Sequence, residues 1–280
     1  MNQSISSLNL PQNVITKLEN AGFHHCNDVA DNLDAINPKI KLPDWGSVTT
    51  APKPKTALEL CDDESGLTAT LIPELDPLLT KIALPGCITE LCGFPGSGKT
   101  QLCLHLAVGA KSRVVFIHTN KNLNPERLRE ICQKCGVDAD ATLARILCVE
   151  APDPVTLTAS VEFLRSWLKQ NSVGVVFIDS ISWPLRLQPS GEKTKLVYTL
   201  LQTLRALGNE HGFTVILTND LTTRIVAGKA YNTSSFGEYF YHLVNNRILL
   251  SKEADSFTTT AFNTSFDRCG TPGLQKIPNV

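Results

Sequence analysis

The sequence has no excess of charge of either sign. Its 280 residues include 26 Lys and Arg against 27 Asp and Glu, a formal net charge of −1. A protein that grips nucleic acid alone through an overall basic surface would normally show a clear excess of cations. The balance therefore argues against solitary, tight binding to nucleic acid.

Long hydrophobic runs are also missing. No apolar stretch approaches the roughly 18 to 20 residues that cross a bilayer, and the polar start, MNQSISSLNLPQNV, lacks the apolar region of a secretory signal. The nine cysteines are odd in number and indicate reduced thiols rather than a disulfide framework. With 42% hydrophobic and 19% charged residues, the composition excludes a wholly disordered chain. We expect an intracellular protein with a packed core and no transmembrane helix.

Composition divides the chain into three segments. Residues 1–36 hold apolar side chains at helical spacing, and Gly22 is a credible stop for the first helix. Residues 37–56 contain four prolines and interspersed lysines, which is typical of a linker. Residues 57–280 have enough apolar residues for one large domain. We therefore predict a small helical N-terminal region, a linker and a core domain.

Within the third segment, short runs of branched residues alternate with helical patterns. The predicted strands are 88–92, 114–117, 146–149, 173–178 and 213–217, and the predicted helices are 100–110, 125–135, 155–170 and 192–211. This alternation predicts an α/β domain with a mostly parallel central sheet covered on both faces. Two later runs, 247–251 and 257–262, predict an antiparallel extension of that sheet.

The segment GFPGSGKT at 93–100 is a complete phosphate-binding loop of the form G-x-x-x-x-G-K-[ST]. It follows a predicted strand and opens a predicted helix, the context that the motif requires, so a chance match is the weaker alternative. Backbone N–H groups of such a loop surround phosphates, Lys99 reaches the β- and γ-phosphates, and the Thr100 hydroxyl binds Mg²⁺. The predicted nucleotide-binding residues are Gly93, Phe94, Pro95, Gly96, Ser97, Gly98, Lys99, Thr100 and Gln101.

A second element supports the same site. The apolar run 175–178 ends in Asp179, about 80 residues after the loop. An acid at a strand tip orients Mg²⁺ in phosphoryl-transfer sites. Alone, such an acid usually marks only the end of a strand. Together with the phosphate loop, it predicts that Thr100 and Asp179 hold the metal and that the cofactors are ATP and Mg²⁺.

Several segments resemble the RecA-like recombinases of eukaryotes, the Rad51 family, and within it the paralogue branch, paralogue C in particular. In the core these are LPGCITELCGFPGSGKTQLCLHLAV, VVFIDSISWPLRL and VILTNDLTTRI; outside it they are LPQNVITKLENAGF and TALELCDDE. The resemblance covers most of residues 8–250. It implies a RecA-like P-loop ATPase core that is preceded by a small truncated helical N-terminal region.

Two residues depart from the family pattern. Asn120 stands where the family has the glutamate that activates the attacking water, and an amide cannot accept that proton. Asp220 replaces the glutamine that senses the γ-phosphate, and its carboxylate would repel phosphate unless Mg²⁺ or Lys intervenes. With Lys99, Asn120 and Asp220 form the catalytic set that the resemblance implies. We expect ATP binding with slow hydrolysis; the alternative is a shifted alignment in which Glu126 or another carboxylate is the base.

Two segments correspond to the DNA-facing loops of the family. The first, 182–191, contains Arg186, and the second, 222–237, contains Arg224 and Lys229. Three cations are few, so we expect weak DNA contact that becomes useful in a complex. Four aromatic residues in or just after the second loop either stack on bases or pack in the core: Tyr231, Phe236, Tyr239 and Phe240.

The resemblance also implies partners. Family members join neighbours by inserting a short linker strand into the next ATPase core, and residues 48–51 resemble that strand, although an ordinary linker is an equal alternative. We expect a nuclear subunit of a hetero-oligomer that contains other recombinase paralogues and the main recombinase. It would act on single-stranded or branched DNA in homologous recombination, double-strand break repair and meiosis. The alternatives are an ATPase stimulated by DNA with its own strand exchange, and a scaffold that needs no nucleotide.

Overall fold

The computed structural model describes residues 4–8, 10–32, 36, 40, 84–121, 123–226, 229–236, 238–253, 256–263 and 273–277. The chain divides into two compact units, Met1–Asp63 and Glu64–Val280. The predicted linker strand at 48–51 and nearly all of the predicted linker lie outside the described residues. The division into three segments therefore stays a prediction.

The first unit is built on two short helices, α1 (Gln12–Asn20) and α2 (Cys26–Ala30). Leu18 of α1 is fully buried in a small apolar cluster that also includes Val29 of α2. After α1, Gly22 has a φ of 88°, and the Phe23 N–H donates to the Leu18 carbonyl over 3.0 Å. This left-handed turn confirms the predicted end of the first helix, because glycine adopts such a φ without steric cost.

The second unit contains a mixed sheet with helices on both faces. Its described strands are β1 (Ile88–Gly93), β2 (Val114–His118), β3 (Ile146–Glu150), β4 (Val175–Asp179), β5 (Thr214–Val226), β6 (Lys229–Ser234), β7 (Asn246–Glu253), β8 (Ser256–Asn263) and β9 (Gly273–Ile277). Its described helices are α3 (Lys99–Gly109), α4 (Pro125–Lys134), α5 (Ala139–Ala144), α6 (Pro154–Trp167) and α7 (Ser190–His211).

The strands follow the order β3-β2-β4-β5-β1-β7-β8-β9, with β6 paired to β5. Every pair from β3 to β7 in that order is parallel, which confirms the predicted α/β class with a mostly parallel sheet. Strands β8 and β9 are antiparallel additions. The two runs of the predicted antiparallel extension, β7 and β8, do pair antiparallel, but β7 joins the sheet parallel to β1, because alternation along a strand does not encode its direction.

Apolar side chains fill both faces of the sheet. On one face α3 and α4 cover Leu91, Phe116 and Phe177, and the two phenylalanine rings stack with centroids 5.4 Å apart. On the other face α6 and α7 cover Val176 and Leu217. Because the centre of the sheet is buried on both faces, β2 and β4 are apolar runs that end in a polar residue. The predicted strands match the observed ones within two residues except at the end of β5.

Strand β5 continues beyond the sheet core. Its second half pairs with β6 in an antiparallel hairpin, with Leu221 opposite Ser234 and Val226 opposite Lys229. The sequence interpretation of 222–237 as a loop is therefore wrong for most of that segment, since a hairpin there satisfies backbone groups that a loop would leave to water. No helix among the described residues has the length and apolarity to cross a membrane.

Candidate nucleotide-binding site

Four parallel strands end at one edge of the sheet and bring together residues that are far apart in sequence. The register places Gly93 of β1 opposite Asp220 of β5. It also places His118 of β2 opposite Asp179 of β4. Ligands of open α/β sheets bind at this carboxyl edge. Asp179 and Asp220 lie there, and their roles stay predictions.

The loop after β1 requires glycine at several points. A Cβ on Gly93 would lie 2.3 Å from the Ser97 Oγ and 2.5 Å from the Leu250 carbonyl oxygen. Gly96 and Gly98 have φ values of 81° and 88°, a region that L side chains rarely adopt. The segment therefore takes the tight turn that directs backbone N–H groups inward before α3 begins at Lys99.

The Lys99 side chain is held close to this loop. Its Nζ donates to the Gly93 carbonyl over 2.8 Å and to the Phe94 carbonyl over 3.1 Å. It also forms an ion pair with the Asp220 carboxylate, with 3.3 Å between Nζ and Oδ1. Lys99 is 9% exposed, so its ammonium group stands at a sheltered position beside the turn.

The remaining loop residues fit a bound phosphate. The Ser97 Oγ is buried and has no hydrogen-bond partner among the described residues, which leaves it available to a ligand. Thr100 and Gln101 lie half-buried in the first turn of α3. The Gln101 Oε1 accepts from the Arg127 Nε over 3.0 Å, so that side chain is already oriented. A buried hydroxyl without a partner, a lysine and a helix N-terminus together suit a nucleotide phosphate.

Asp179 ends β4 as a buried carboxylate. Its Oδ1 accepts a hydrogen bond from the Thr218 hydroxyl over 2.6 Å. Next to it, the Thr119 hydroxyl donates to the Ser180 carbonyl, and the Ser180 N–H donates to that hydroxyl, both over 2.9 Å. These bonds fix the ends of β2 and β4 against each other. The role of Thr100 and Asp179 as metal ligands stays a prediction, and the geometry of their elements is compatible with it.

The residue predicted to take the place of the water-activating glutamate is Asn120, after β2. Asn120 is half-buried two residues after the end of β2, and Lys121 follows with a φ of 58°. The Lys121 Nζ pairs with Glu150 on the neighbouring strand β3, 3.3 Å from its Oε1. Glu126, the alternative base, is exposed in the first turn of α4. The end of β2 therefore presents an amide where the family pattern has a carboxylate.

Asp220 has cations on both of its carboxylate oxygens. Besides the contact with Lys99, its Oδ2 lies 2.9 Å from the Arg186 Nη2 and accepts from the Ser182 hydroxyl over 3.3 Å. The Arg186 guanidinium also stands 4.4 Å from the centre of the Trp183 ring. The sequence predicts that lysine or Mg²⁺ offsets the negative charge of Asp220, and in the structure a lysine and an arginine do so. The DNA-binding role predicted for Arg186 stays a prediction.

The other predicted DNA-binding residues lie on the hairpin. Arg224 of β5 is opposite Tyr231 of β6, and Lys229 begins β6. The structure describes only the backbone of these two cations, so their DNA-binding role stays a prediction.

The aromatic residues of this region divide into two groups. Phe236 and Phe240 are buried, with ring centroids 4.9 Å apart, so for this pair base stacking is wrong and core packing is right. Tyr239 is half-buried, and its hydroxyl donates to the Thr194 carbonyl over 3.2 Å. The base-stacking role of Tyr231 lies outside the described side chains.

A buried polar network lies beneath the site and was not predicted. The Asn219 amide donates to the Glu90 Oε1 and to the Ser234 Oγ, each over 2.7 Å. Glu90 also pairs with the Arg247 guanidinium on β7. Burial raises the pKa of the Glu90 carboxyl, against the opposing effects of Arg247 and of its hydrogen bonds. No sequence motif marks these residues; only the strand register brings them together.

Comparison with known proteins agrees with this geometry. The family model described as Rad51 matches residues 67–254 of the chain. The chain belongs to the Rad51 family. Its α/β core is thus a RecA-like core, and the Rad51 match includes the phosphate loop, Asp179, Asp220 and the hairpin.

Individual relatives indicate which members of the Rad51 family the chain resembles. The chain is 29% identical over 271 residues to DNA repair protein RAD51 homolog 3 of Cricetulus griseus, covering 84% of this chain and 74% of that one. It is 28% identical over 208 residues to RAD51 homolog 4 of Bos taurus, covering 69% and 63%. It is 29% identical over 184 residues to meiotic recombination protein DLH1 of Candida albicans, covering 59% and 57%. These matches support a Rad51 paralogue similar to homolog 3.

Three neighbours of the predicted site residues were not predicted from the sequence. Thr218 bonds the Asp179 carboxylate, Ser182 bonds Asp220, and His118 lies in register with Asp179. The one available signal was register: parallel strands that end together place the residues around their tips side by side.

Proposed function

We propose that this Rad51-family chain binds ATP and Mg²⁺ and acts in homologous recombination and DNA repair, meiotic recombination included. Nucleotide would serve mainly as a ligand that sets the conformation of the chain, with slow hydrolysis. The names of its relatives, DNA repair proteins and a meiotic recombination protein, support the cellular role. A role on chromosomal DNA makes the nucleus its expected location.

One observation supports this proposal most. The proposed phosphate-binding side has Lys99 and the Ser97 hydroxyl at a glycine turn, and this hydroxyl has no hydrogen-bond partner among the described residues. The side that would activate water has Asn120. Binding needs only the first side, whereas hydrolysis needs a group that orients and deprotonates water.

The chain's own residues would divide the work of binding. When nucleotide binds, the Lys99 ammonium would break its hydrogen bonds to the Gly93 and Phe94 carbonyls and contact the phosphates instead. Thr100 and Asp179 would hold Mg²⁺, with Thr218 keeping the Asp179 carboxylate oriented. Bound Mg²⁺ supplies neutralising charge to the phosphates.

Thermal unfolding of the purified chain tests nucleotide binding. Saturating Mg-ATP at about 100 times the Kd should stabilise the wild type by about 2.7 kcal/mol, a shift of several degrees in Tm. Lys99→Ala should lose this shift, because it removes the cation at the loop. Lys111→Ala, an exposed lysine just after α3, serves as the matched control and should keep it. A wild type that Mg-ATP does not stabilise would instead indicate a scaffold that needs no nucleotide.

We further propose that other recombinase paralogues and the main recombinase bind at strand β3. This strand is last in the sheet order, and its outer edge is not paired with any described strand. Leu147 and Cys148 on it are exposed. An open edge with apolar side chains suits the addition of a strand from a neighbouring subunit.

Co-purification tests the partner site. The wild-type chain should retain paralogue subunits, and Leu147→Lys should release them, because a charge on the edge strand opposes strand addition. Leu187→Lys, at a fully exposed leucine on the segment before α7, is the matched control and should retain them. Equal retention by both variants would place the partner site elsewhere.

We propose that the chain contacts single-stranded or branched DNA through the hairpin of β5 and β6. Arg224 and Lys229 lie on a hairpin that projects beyond the parallel sheet. The net charge of −1 implies that neighbouring subunits supply most of the cationic surface. Arg224→Ala should lower DNA binding of the assembly, measured at low salt, and unchanged binding would contradict a direct contact.

A further inference from the structure

Three charged side chains form a row at the mouth of the site. The Lys99 ammonium lies 3.3 Å from one oxygen of Asp220, and the Arg186 guanidinium lies 2.9 Å from the other. They come from the start of α3, the end of the parallel part of β5 and the segment before α7. Asp220 is thus a single anion shared by two cations.

The arginine is oriented toward Asp220 by its surroundings. Its guanidinium stacks over the Trp183 ring, and Ser182 donates to the same Asp220 oxygen that Arg186 contacts. The Asp220 side chain is 23% exposed, so its charge is partly screened from water and matters to any neighbouring anion.

A bound triphosphate would change this balance. Lys99 of a phosphate loop reaches the β- and γ-phosphates, so it would turn away from Asp220. The carboxylate would then lie within roughly two hydrogen-bond lengths of new negative charge. Arg186 is the cation that would remain on Asp220 and compensate it.

We propose that Asp220, with Arg186 as its counter-charge, sets the selectivity of this site between nucleoside triphosphate and diphosphate. Asp220 disfavours the additional charge of the terminal phosphate, and Arg186 limits that penalty. Arg186 is a positioning residue, since it acts through Asp220. The proposal rests on the nucleotide binding proposed above.

Calorimetric titration of the purified chain with Mg²⁺ and either ADP or the β,γ-imido analogue of ATP tests this. Asp220→Asn should raise affinity for the triphosphate about tenfold and change affinity for ADP by less than about threefold. Arg186→Gln should lower triphosphate affinity about tenfold with a smaller effect on ADP, and Arg186→Lys should restore part of the loss. In the Asp220→Asn background, Arg186→Gln should have little further effect, because no charge remains to compensate.

Arg129→Gln is the matched control. Arg129 has the same 52% exposure as Arg186 and a comparable ion pair, 2.7 Å from Asp140, but it lies on α4. It should leave both affinities unchanged.

Two results would overturn the proposal. One is an equal loss of both nucleotides in Arg186→Gln. Another is unchanged nucleotide binding together with reduced DNA binding in Arg186→Gln, which would assign this arginine to DNA. A wild type that binds neither nucleotide would instead contradict the proposed function itself.

Discussion

The ends of strands β1 and β2 lie at the same edge of one sheet, yet they differ in what they can do. At the end of β1, the turn from Gly93 to Gly98 leads into Lys99, with a buried Ser97 hydroxyl available to a ligand. At the end of β2, Thr119, Asn120 and Lys121 follow His118, and we propose that Asn120 stands where the family has its water-activating glutamate. Under the proposed function, phosphate binding and water activation are separable, because they would depend on the ends of different strands.

The two ends also depend on different physical features. The β1 turn depends on steric space at Gly93 and on a positive φ at Gly96, so neither glycine can be replaced without cost. The β2 end depends on the chemistry of one side chain, because an amide and a carboxylate have nearly the same shape but only the carboxylate accepts a proton. Substitutions in the first should affect folding and binding, and those in the second should affect only turnover.

The largest effect is expected from a substitution that disrupts the turn after β1. Gly93→Ala would place a Cβ 2.5 Å from the Leu250 carbonyl, so β7 or the turn must shift. We expect a loss of about 3 kcal/mol in the free energy of unfolding and loss of nucleotide binding, measured by urea unfolding and by the Mg-ATP shift in Tm.

Gly96→Ala provides the matched comparison for that variant. A Cβ there meets no atom within 4 Å, so the only cost is its positive φ. We expect a loss of about 1 to 2 kcal/mol in the free energy of unfolding. Equal losses in the two variants would show that close contact at Gly93 is not what shapes the turn.

A smaller effect is expected on the metal side of the site. Thr218→Val keeps the side-chain shape and removes the hydrogen bond to Asp179. The Mg²⁺ concentration for half-maximal nucleotide binding should rise about threefold to tenfold, as expected for losing a bond to a charged group.

Nucleotide binding in EDTA should not change in Thr218→Val. Thr199→Val on α7, whose hydroxyl bonds only the Lys195 carbonyl of its own helix, is the control. An equal loss of nucleotide binding with and without Mg²⁺ would contradict the proposal that Asp179 holds the metal.

Local features of the fold could be predicted from the sequence. The spacing of the phosphate loop, the apolar strands and the leucines of α7 are short-range patterns. The helix after the loop starts at Lys99, one residue before the predicted start. Helix α5 was missed although Asp138 caps it with bonds to two backbone N–H groups, because six residues are too few to show a periodicity.

Long-range features could not be predicted. The contact of Lys99 with Asp220 joins residues that are 121 positions apart, and it exists only because β1 and β5 are adjacent with Gly93 opposite Asp220. The family resemblance predicts a loop at 222–237, whereas the pairing of β5 with β6 depends on backbone contacts that the resemblance does not specify. The departures from the family pattern at Asn120 and Asp220 are predictions from the sequence, whereas the cations around Asp220 needed the strand register and side-chain contacts.

The most direct test of the proposed difference between the ends of β1 and β2 is Mg-ATP turnover, measured on purified protein that has been shown to bind nucleotide. The wild type should turn over slowly, Asn120→Ala should leave that slow rate unchanged within about twofold, and Asn120→Glu should raise it by about 100-fold if the new carboxylate serves as the base. Brisk hydrolysis by the wild type that is abolished in Asn120→Ala would contradict the separation of binding from hydrolysis.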